Sequence, residues 1–460
     1  MILGAVCASI SFLFPKDGVH IAGLKLHFSP WFQEADSAQF AAAVPDIDAH
    51  LAQLDSLASA PIDTAVNYAR KESIASLQFA NADASSFHRF FRALEEAQGG
   101  RRVHVFHYGD SQIESDRMTN VIREKLQSRF GGSGCGLVCP IPITGSGNII
   151  QSQSSNWKRY TSYGYDDGKC KHNNYGVLCA FGRFTAPGAT TDTTEAWIEL
   201  RPSSMATGLC KRYQEIVMYF GNYSQPFTIE VTGDDNIIAR ETITPQQGVQ
   251  SRTWPVMECP KRLRLKFIGV ESPDVYGISL NSTQGVGVSN IALRGNDGGA
   301  FRRVNTGSMQ PVFDQLQGEL YILQFGGNSV PYLSGRESAY KHGESFREHI
   351  QRFKRMRPEA AIVVIGPSDM STSVDGVYQT WPYLEQLNDG MKAAAFAEGC
   401  AYWDMFSVMG GRNSMVSWVN HNPQYAGPDY THFTPAGARK MAELFSKALL
   451  DEYEAWSGKD

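Results

Sequence analysis

The stretch Val103-His104-Val105-Phe106-His107-Tyr108-Gly109-Asp110-Ser111-Gln112-Ile113-Glu114-Ser115-Asp116-Arg117 changes character halfway along. Up to His107 it alternates, with β-branched and aromatic residues that suit a pleated strand. At Gly109-Asp110 the alternation breaks. From Ser111 onward Ile113, Met118, Val121, Ile122 and Leu126 recur at helical spacing, with charges between them. This places Ser111 at a strand-to-helix corner, beyond a glycine that tolerates a tight turn. A hydroxyl there leaves the carboxyl end of a strand beside the positive end of a helix dipole. Such a position suits a nucleophile and the oxyanion it creates. A simple Asp-Ser helix cap is the competing account of the same residues.

Two further stretches bear on that choice. Leu320-Tyr321-Ile322-Leu323-Gln324-Phe325-Gly326-Gly327-Asn328 is an apolar strand running into a turn. Asp429-Tyr430-Thr431-His432-Phe433-Thr434-Pro435-Ala436-Gly437 precedes a C-terminal apolar helix. Gly-Asp-Ser, then Gly-x-Asn, then Asp-x-x-His before a last helix, resembles the SGNH/GDSL hydrolase family in residue type, order and flanks. The resemblance covers about 100–150 and 286–450 and leaves out the middle of the chain.

What the resemblance implies is a serine-dependent ester hydrolase. A serine hydroxyl is a poor nucleophile until a base takes its proton. His432 would be that base, and then the acid that protonates the leaving alcohol. Asp429, on the same loop, would orient the imidazole and stabilise its charged form. The oxyanion hole would combine the Asn328 side-chain amide with the N–H groups of Ser111 and Gly295. The last of these ends the strand Val286-Gly287-Val288-Ser289-Asn290-Ile291-Ala292-Leu293-Arg294. Thr434 and Pro435 read as the cap and first turn of the final helix. Asp369, after the apolar run Ala361–Ile365, reads as a helix cap at the same rim. No metal or organic cofactor is required.

The expected fold is α/β, a doubly wound, mainly parallel sheet of flavodoxin-like type, with an inserted β-sandwich. Strands alternating with helices give such a sheet, and ligands bind at the carboxyl ends of its strands. Between 151 and 285 helical periodicity fades. Ala196–Leu200, Glu215–Phe220, Phe227–Val231 and Leu263–Phe267 read as short strands between turns, which argues for a sandwich. The expected divisions are 1–14 as the remnant of an export signal or anchor and 15–98 as an N-terminal extension, packed on the catalytic body or spacing it from a membrane. The catalytic domain then occupies 99–150 and 286–460, around the insert at 151–285. Ile47, Leu51, Leu54 and Leu57, and again Phe87, Phe90, Phe91 and Leu94, recur at helical spacing within the extension.

Composition sets the outer bounds. The chain has 460 residues, 42% hydrophobic and 19% charged, which describes a folded body with a large core. A net charge of −5 leaves no electrostatic footprint for nucleic acid. The uncharged apolar run Met1–Phe14 is shorter than a membrane span and lacks a basic leader. It is read as an export or anchoring segment, which places the protein in the periplasm or cell envelope. Cys135 and Cys139, and likewise Cys170 and Cys179, are spaced for local disulfides. The resemblance, taken with the β-rich insert and the apolar N-terminus, implies an acetylated polysaccharide such as peptidoglycan as partner, with deacetylation as the reaction. An O-acetyltransferase using the same residues, and a glycan-binding protein with a degenerate site, are the alternatives. Trp197, Tyr219 and Tyr223 are the insert's candidate sugar-stacking rings, with the sandwich core as the other place for Trp197.

Overall fold

Strand Arg102–Gly109 (β1) forms because its side chains alternate between two apolar cores. Val103 and Val105 enter one, while Phe106 and Tyr108 enter the other. Gly285–Ala292 (β2), Gly318–Gln324 (β3), Ala361–Ile365 (β4) and Ala401–Trp403 (β5) repeat that division. They pair in parallel in the order β2-β1-β3-β4-β5. This is the doubly wound order whose switch point lies between the first and third strands. The computed structural model describes residues 19–21, 24–26, 44–59, 73–164, 170–187 and 192–458. The apolar run Met1–Phe14 lies outside them. Among the described residues no helix is long and apolar enough to cross a membrane.

In chain order the main covering helices are Ser85–Gln98 (α1), Thr119–Phe130 (α2), Gln310–Leu316 (α3), Arg347–Met356 (α4), Leu384–Ala397 (α5) and Pro435–Ser457 (α6). Helices α1, α2 and α6 fill the first core with Phe91, Ile122 and Phe445 among others. Helices α3, α4 and α5 fill the second with Phe313, Phe353 and Leu387. The chain divides into two units, Met1–Ala43 and Val44–Asp460. In the first, Val19–Ile21 pairs antiparallel with Leu24–Leu26. In the second, α1 belongs to the α/β body, although the expected extension ran to residue 98. Its Phe87, Phe90, Phe91 and Leu94 are fully buried. Gln78 adds an antiparallel bridge to Tyr402 at the edge of the sheet. Helix Ile47–Ser59 buries Ile47, Leu51 and Leu54, while the Leu57 side chain is outside the described set.

The insert is a sandwich of two antiparallel sheets. The outer one orders 236–243, 227–233, 263–269, 194–202 and 149–153. The inner one orders 249–255, 215–221, 274–281, 180–183 and 158–161, with Gly136–Val138 also paired on 274–281. The sandwich therefore recruits residues before 151, and its last strand closes at Asn281. Ile198, Phe220, Phe267 and Ile278 lie in the core between the two sheets. The other face of the inner sheet belongs to the second core of the body, through Val217, Tyr219 and Tyr276 beside Phe106, Tyr108 and Tyr321. Tyr108 also donates its hydroxyl proton to the Val177 carbonyl at 2.9 Å.

This docking decides the fate of the proposed sugar-stacking rings. Tyr219 and Tyr223 are 1% and 8% exposed and offer no free face. Trp197 lies half-buried outside the sandwich core, with the Arg264 guanidinium 4.6 Å from its ring centre. The expected local disulfides are likewise absent. Cys135 neighbours Cys210 instead of pairing with Cys139, and Cys170 faces His172 and Tyr175.

A sheet buried on both faces cannot be removed cleanly. Replacing residues 134–281 by a short linker should abolish soluble, cooperatively unfolding protein, because Phe106 and Tyr108 lose their cover. Tyr219→Ala should cost about 3–5 kcal/mol, read from the shift of a urea unfolding curve. A soluble excised protein with a sharp transition would show that the inner sheet is not part of the body's core.

Candidate active site

Four loops around the carboxyl ends of the strands carry the residues singled out in the sequence. Ser111 opens a short 3-10 turn, Ser111–Asp116, directly after β1. The expected continuous helix from Ser111 is interrupted. Glu114 is extended, Ser115 and Asp116 have positive φ of 57° and 64°, and the α-helix proper begins at Thr119. Two ion pairs account for the break. Arg294 grips Glu114 with two bonds of 2.7 Å, and Arg123 grips Asp116 at 2.6 and 3.1 Å. Both carboxylates are buried, so their partners fix the turn more firmly than helical propensity could. The N-terminus beside Ser111 is thus that of a single turn, capped by the Asp110 carboxylate accepting from Gln112 N at 2.9 Å.

His432 comes from the loop between β5 and α6. Its Nε2 lies 2.8 Å from Ser111 Oγ, and its Nδ1 lies 2.7 Å from Asp429 Oδ2. Asp429 also accepts from the backbone N–H groups of Thr431 and His432, each at 3.0 Å. Burial pushes the Asp429 carboxyl up, but the bonds from His432 and Thr431 outweigh it and hold it below its ordinary value. Asp429 is therefore an ionised partner for the imidazole. Thr434 caps α6 through Gly437 N at 3.3 Å, and Pro435 opens its first turn, as the sequence suggested.

Asn328 follows β3 in the turn Gly327–Tyr332. Its amide donates to Asp110 Oδ2 at 3.0 Å and to the Asn296 carbonyl at 3.2 Å. An amide nitrogen carries two protons, and here both are engaged. Donation to an oxyanion would exchange the longer bond, to Asn296, for the new one. Gly295 follows β2 with φ of 71°, and a side chain there would meet nothing within 4 Å. Conformation, not crowding, calls for glycine at that point. Among the described residues, the N–H groups of Ser111 and Gly295 have no backbone carbonyl partner. Ser111, Gly295, Asn328 and His432 all line one cavity of 570 Å³.

Asp369 caps, but at a distance in sequence: it accepts from Met415 N at 2.8 Å and from Thr380 Oγ1 at 2.7 Å. It holds the start of helix Ser414–Asn420 and is not among the cavity-lining residues. Beside Ser111, Gln112 went unread in the sequence and Asp110 was read only as a cap. Gln112 donates to the Thr431 carbonyl at 2.7 Å and accepts from Phe433 N at 3.2 Å, bracketing His432. Asp110, only 4% exposed, carries the bond to Asn328. A polar pair between a buried strand and an apolar turn was the available signal.

Comparison with known proteins agrees with this geometry. Residues 259–440 match the model of the GDSL-like Lipase/Acylhydrolase family. The chain carries a GDSL-type hydrolase domain. Ser111 lies before the matched range, since the insert parts the first block of the domain from the rest. No curated protein is significantly similar to the chain. Among solved structures, a peptidoglycan O-acetylesterase superposes with a TM-score of 0.61 at 18% identity, covering 82% of this chain and 99% of its own. A family two carbohydrate esterase from Clostridium thermocellum, in complex with cellohexaose, gives a TM-score of 0.23 at 8% identity over 66% of this chain and 99% of its own. The first of these shares the hydrolase's fold. Residues 259–440 are thus of the GDSL-like lipase/acylhydrolase type, on a fold shared with that esterase.

Burial pushes the Asp110 carboxyl up from 3.8 to about 6, against the bonds from Gln112 and Asn328. The folded state thus holds this proton where the unfolded chain has released it, so Asp110's contribution to stability falls as pH rises from 3.8 to 6. Relative to wild type, Asp110→Asn should gain about 3 kcal/mol between pH 4 and pH 7 in urea unfolding. The same variant turns one acceptor into a donor facing Gln112 N or Asn328. Its kcat on a small ester should fall about 10- to 100-fold, short of losing an oxyanion donor outright. Wild-type kcat with unaltered stability profile in Asp110→Asn would refute this account of the carboxyl.

Proposed function

We propose that this hydrolase removes O-acetyl groups from a cell-envelope or dietary polysaccharide, peptidoglycan or a similar glycan, through an acyl-enzyme. The observation that carries the chemistry is the line Asp429–His432–Ser111, with contacts of 2.7 and 2.8 Å, opening into the cavity that Gly295 and Asn328 share. His432 takes the Ser111 proton as Oγ attacks the ester carbonyl, and Asp429 stabilises the imidazolium that results. Charge develops on the carbonyl oxygen, where Ser111 N–H, Gly295 N–H and the released proton of Asn328 receive it. His432 then protonates the leaving alcohol. Water, activated by the same imidazole, attacks the acyl-enzyme to free acetate and restore Ser111.

The glycan part of the proposal draws on the solved structure with the shared fold, which is a peptidoglycan O-acetylesterase. It draws also on the size of the cavity, since 570 Å³ exceeds what an acetyl group needs and leaves room for a cyclic leaving alcohol. A site outside the cytoplasm belongs to the same proposal, and the apolar run Met1–Phe14 supports it.

Ser111→Ala should keep the fold and lose roughly 10³-fold or more in kcat on 4-nitrophenyl acetate, and Asp429→Asn about 10⁴-fold. Released acetate from O-acetylated peptidoglycan and from acetylated xylan, measured side by side, tests the substrate. Near-wild-type turnover by Ser111→Ala would end the catalytic reading. Turnover of the small ester with no acetate from either polymer would end the glycan reading.

A further inference from the structure

Tyr332 is 85% exposed, an unusual position for a large ring, yet it lines the same cavity as Ser111. It ends the turn that carries Asn328. Trp381 lines the cavity as well, from the residue after hairpin Ser371–Thr380, and its backbone N–H is tied to the Met370 carbonyl at 3.0 Å. Pro331 and Met370 add apolar surface to the same lining. The hydroxyl and imidazole belong to other loops, while Asn328 stands at the start of the turn that Tyr332 ends, so the cavity has a reacting part and an aromatic part.

From this division we infer that Tyr332 and Trp381 form the platform on which the sugar ring of an O-acetylated glycan lies while its ester reaches Ser111. The inference rests on the glycan-esterase reading and assigns the residues that would select the leaving alcohol. A pyranose carries an apolar C–H face, and an aromatic plane covers that face while leaving the hydroxyls in water. An acetyl group at Ser111 is held by the oxyanion donors and is too small to extend to a ring at the mouth. A group bonded to the ester oxygen can extend toward the mouth, and the exposed Tyr332 ring is among the groups that line it. A long acyl chain is the rival occupant of the same apolar lining. It would have to run toward the mouth, whose ring is nearly all in water, so it would leave much of its own surface wet.

The test uses the full chain and compares two substrates. For Tyr332→Ala, kcat/KM on acetylated xylo-oligosaccharides or O-acetylated peptidoglycan fragments should fall at least tenfold further than kcat/KM on 4-nitrophenyl acetate, mainly through KM. Tyr332→Trp should restore the ratio, because the plane matters and the hydroxyl does not. Trp381→Ala should act in the same direction, and Tyr332 keeps the test interpretable if Trp381→Ala folds poorly. Equal losses on both substrates, or none on either, overturn the platform. So does a variant whose preference between 4-nitrophenyl butyrate and acetate shifts while the glycan ratio stays put, which would make that lining an acyl pocket. Binding of unacetylated xylo-oligosaccharide and peptidoglycan fragments to Ser111→Ala, followed by tryptophan fluorescence with and without Tyr332→Ala, reads the platform without catalysis. Tyr332-dependent binding there, with no acetate released from glycan by the wild type, would sink the esterase reading and spare the platform. Binding equal in both proteins, or absent, sinks the platform.

Discussion

One amide side chain joins the two ends of the chemistry. Gln112 sits beside Ser111 and bonds to the carbonyl of Thr431 and the N–H of Phe433, the two residues flanking His432. Arg117 adds a bond to the Phe433 carbonyl at 3.1 Å. Each such bond contributes only about 1 kcal/mol net to stability. Their value is positional, because a proton passes between Ser111 and His432 only at hydrogen-bond distance. The two residues are 321 positions apart, and no local structure could hold them in register. The turn that presents Gln112 depends in turn on Arg294 and Arg123 pinning Glu114 and Asp116, so two ion pairs, one of them buried and one with its arginine exposed, set the serine's geometry.

The two aspartates near Ser111 show how surroundings divide like groups between roles. Asp110 is buried and pushed up to about 6, while Asp429 is half in water, bonded by two backbone N–H groups, and held low. The low one faces the imidazole, where a permanent negative charge is useful throughout the cycle. The raised one faces Asn328, a neutral donor, where it fixes orientation at a cost in buried charge. Exchange of these environments would leave His432 with a partner that is partly protonated in weakly acidic solution.

The alternation of Val103, Val105, Phe106 and Tyr108 was legible because each strand serves two cores, and so were the blocks around Ser111, Asn328 and His432. The break at Glu114–Ser115 was not. Its causes are Arg294 and Arg123, and the first of these is 180 residues from its partner, invisible to a periodicity read within one window. Helix α1 was seen as periodic yet assigned to an extension, since amphipathicity shows that a face is buried and not against what. The same limit hid the inner sheet of the insert. Glu215–Gly221 is buried at every position, and an all-buried strand reads alike whether it lies in a sandwich or between two bodies. Cys135 met Cys210 instead of Cys139 because proximity in sequence says nothing about which side of a strand a thiol leaves from.

The order of the sheet explains why so large an insert leaves the site whole. β1 lies between β2 and β3, so loops from all three strands meet at one rim about 5 Å apart per strand. Ser111 follows the central strand, and Gly295 and Asn328 follow its two neighbours, which puts donors on both sides of the serine without any special loop. The insert leaves after α2 and returns at the amino end of β2, the opposite edge of the sheet. There its two connections are bonded to one another, Val286 N to the Gly131 carbonyl and Ser282 N to the Ser133 carbonyl, both at 3.0 Å. A side chain on Gly132 would come within 2.4 Å of the Val286 backbone, so close approach of the two passing chains requires glycine there. From that distant hinge the insert reaches forward again, with Gly147 N on the Ser115 carbonyl at 2.9 Å and Asn148 bonded to Asp116. It therefore braces the serine's turn, while none of its described residues lines the cavity. Variation in this segment can alter how firmly Ser111 is held without touching a residue that meets substrate.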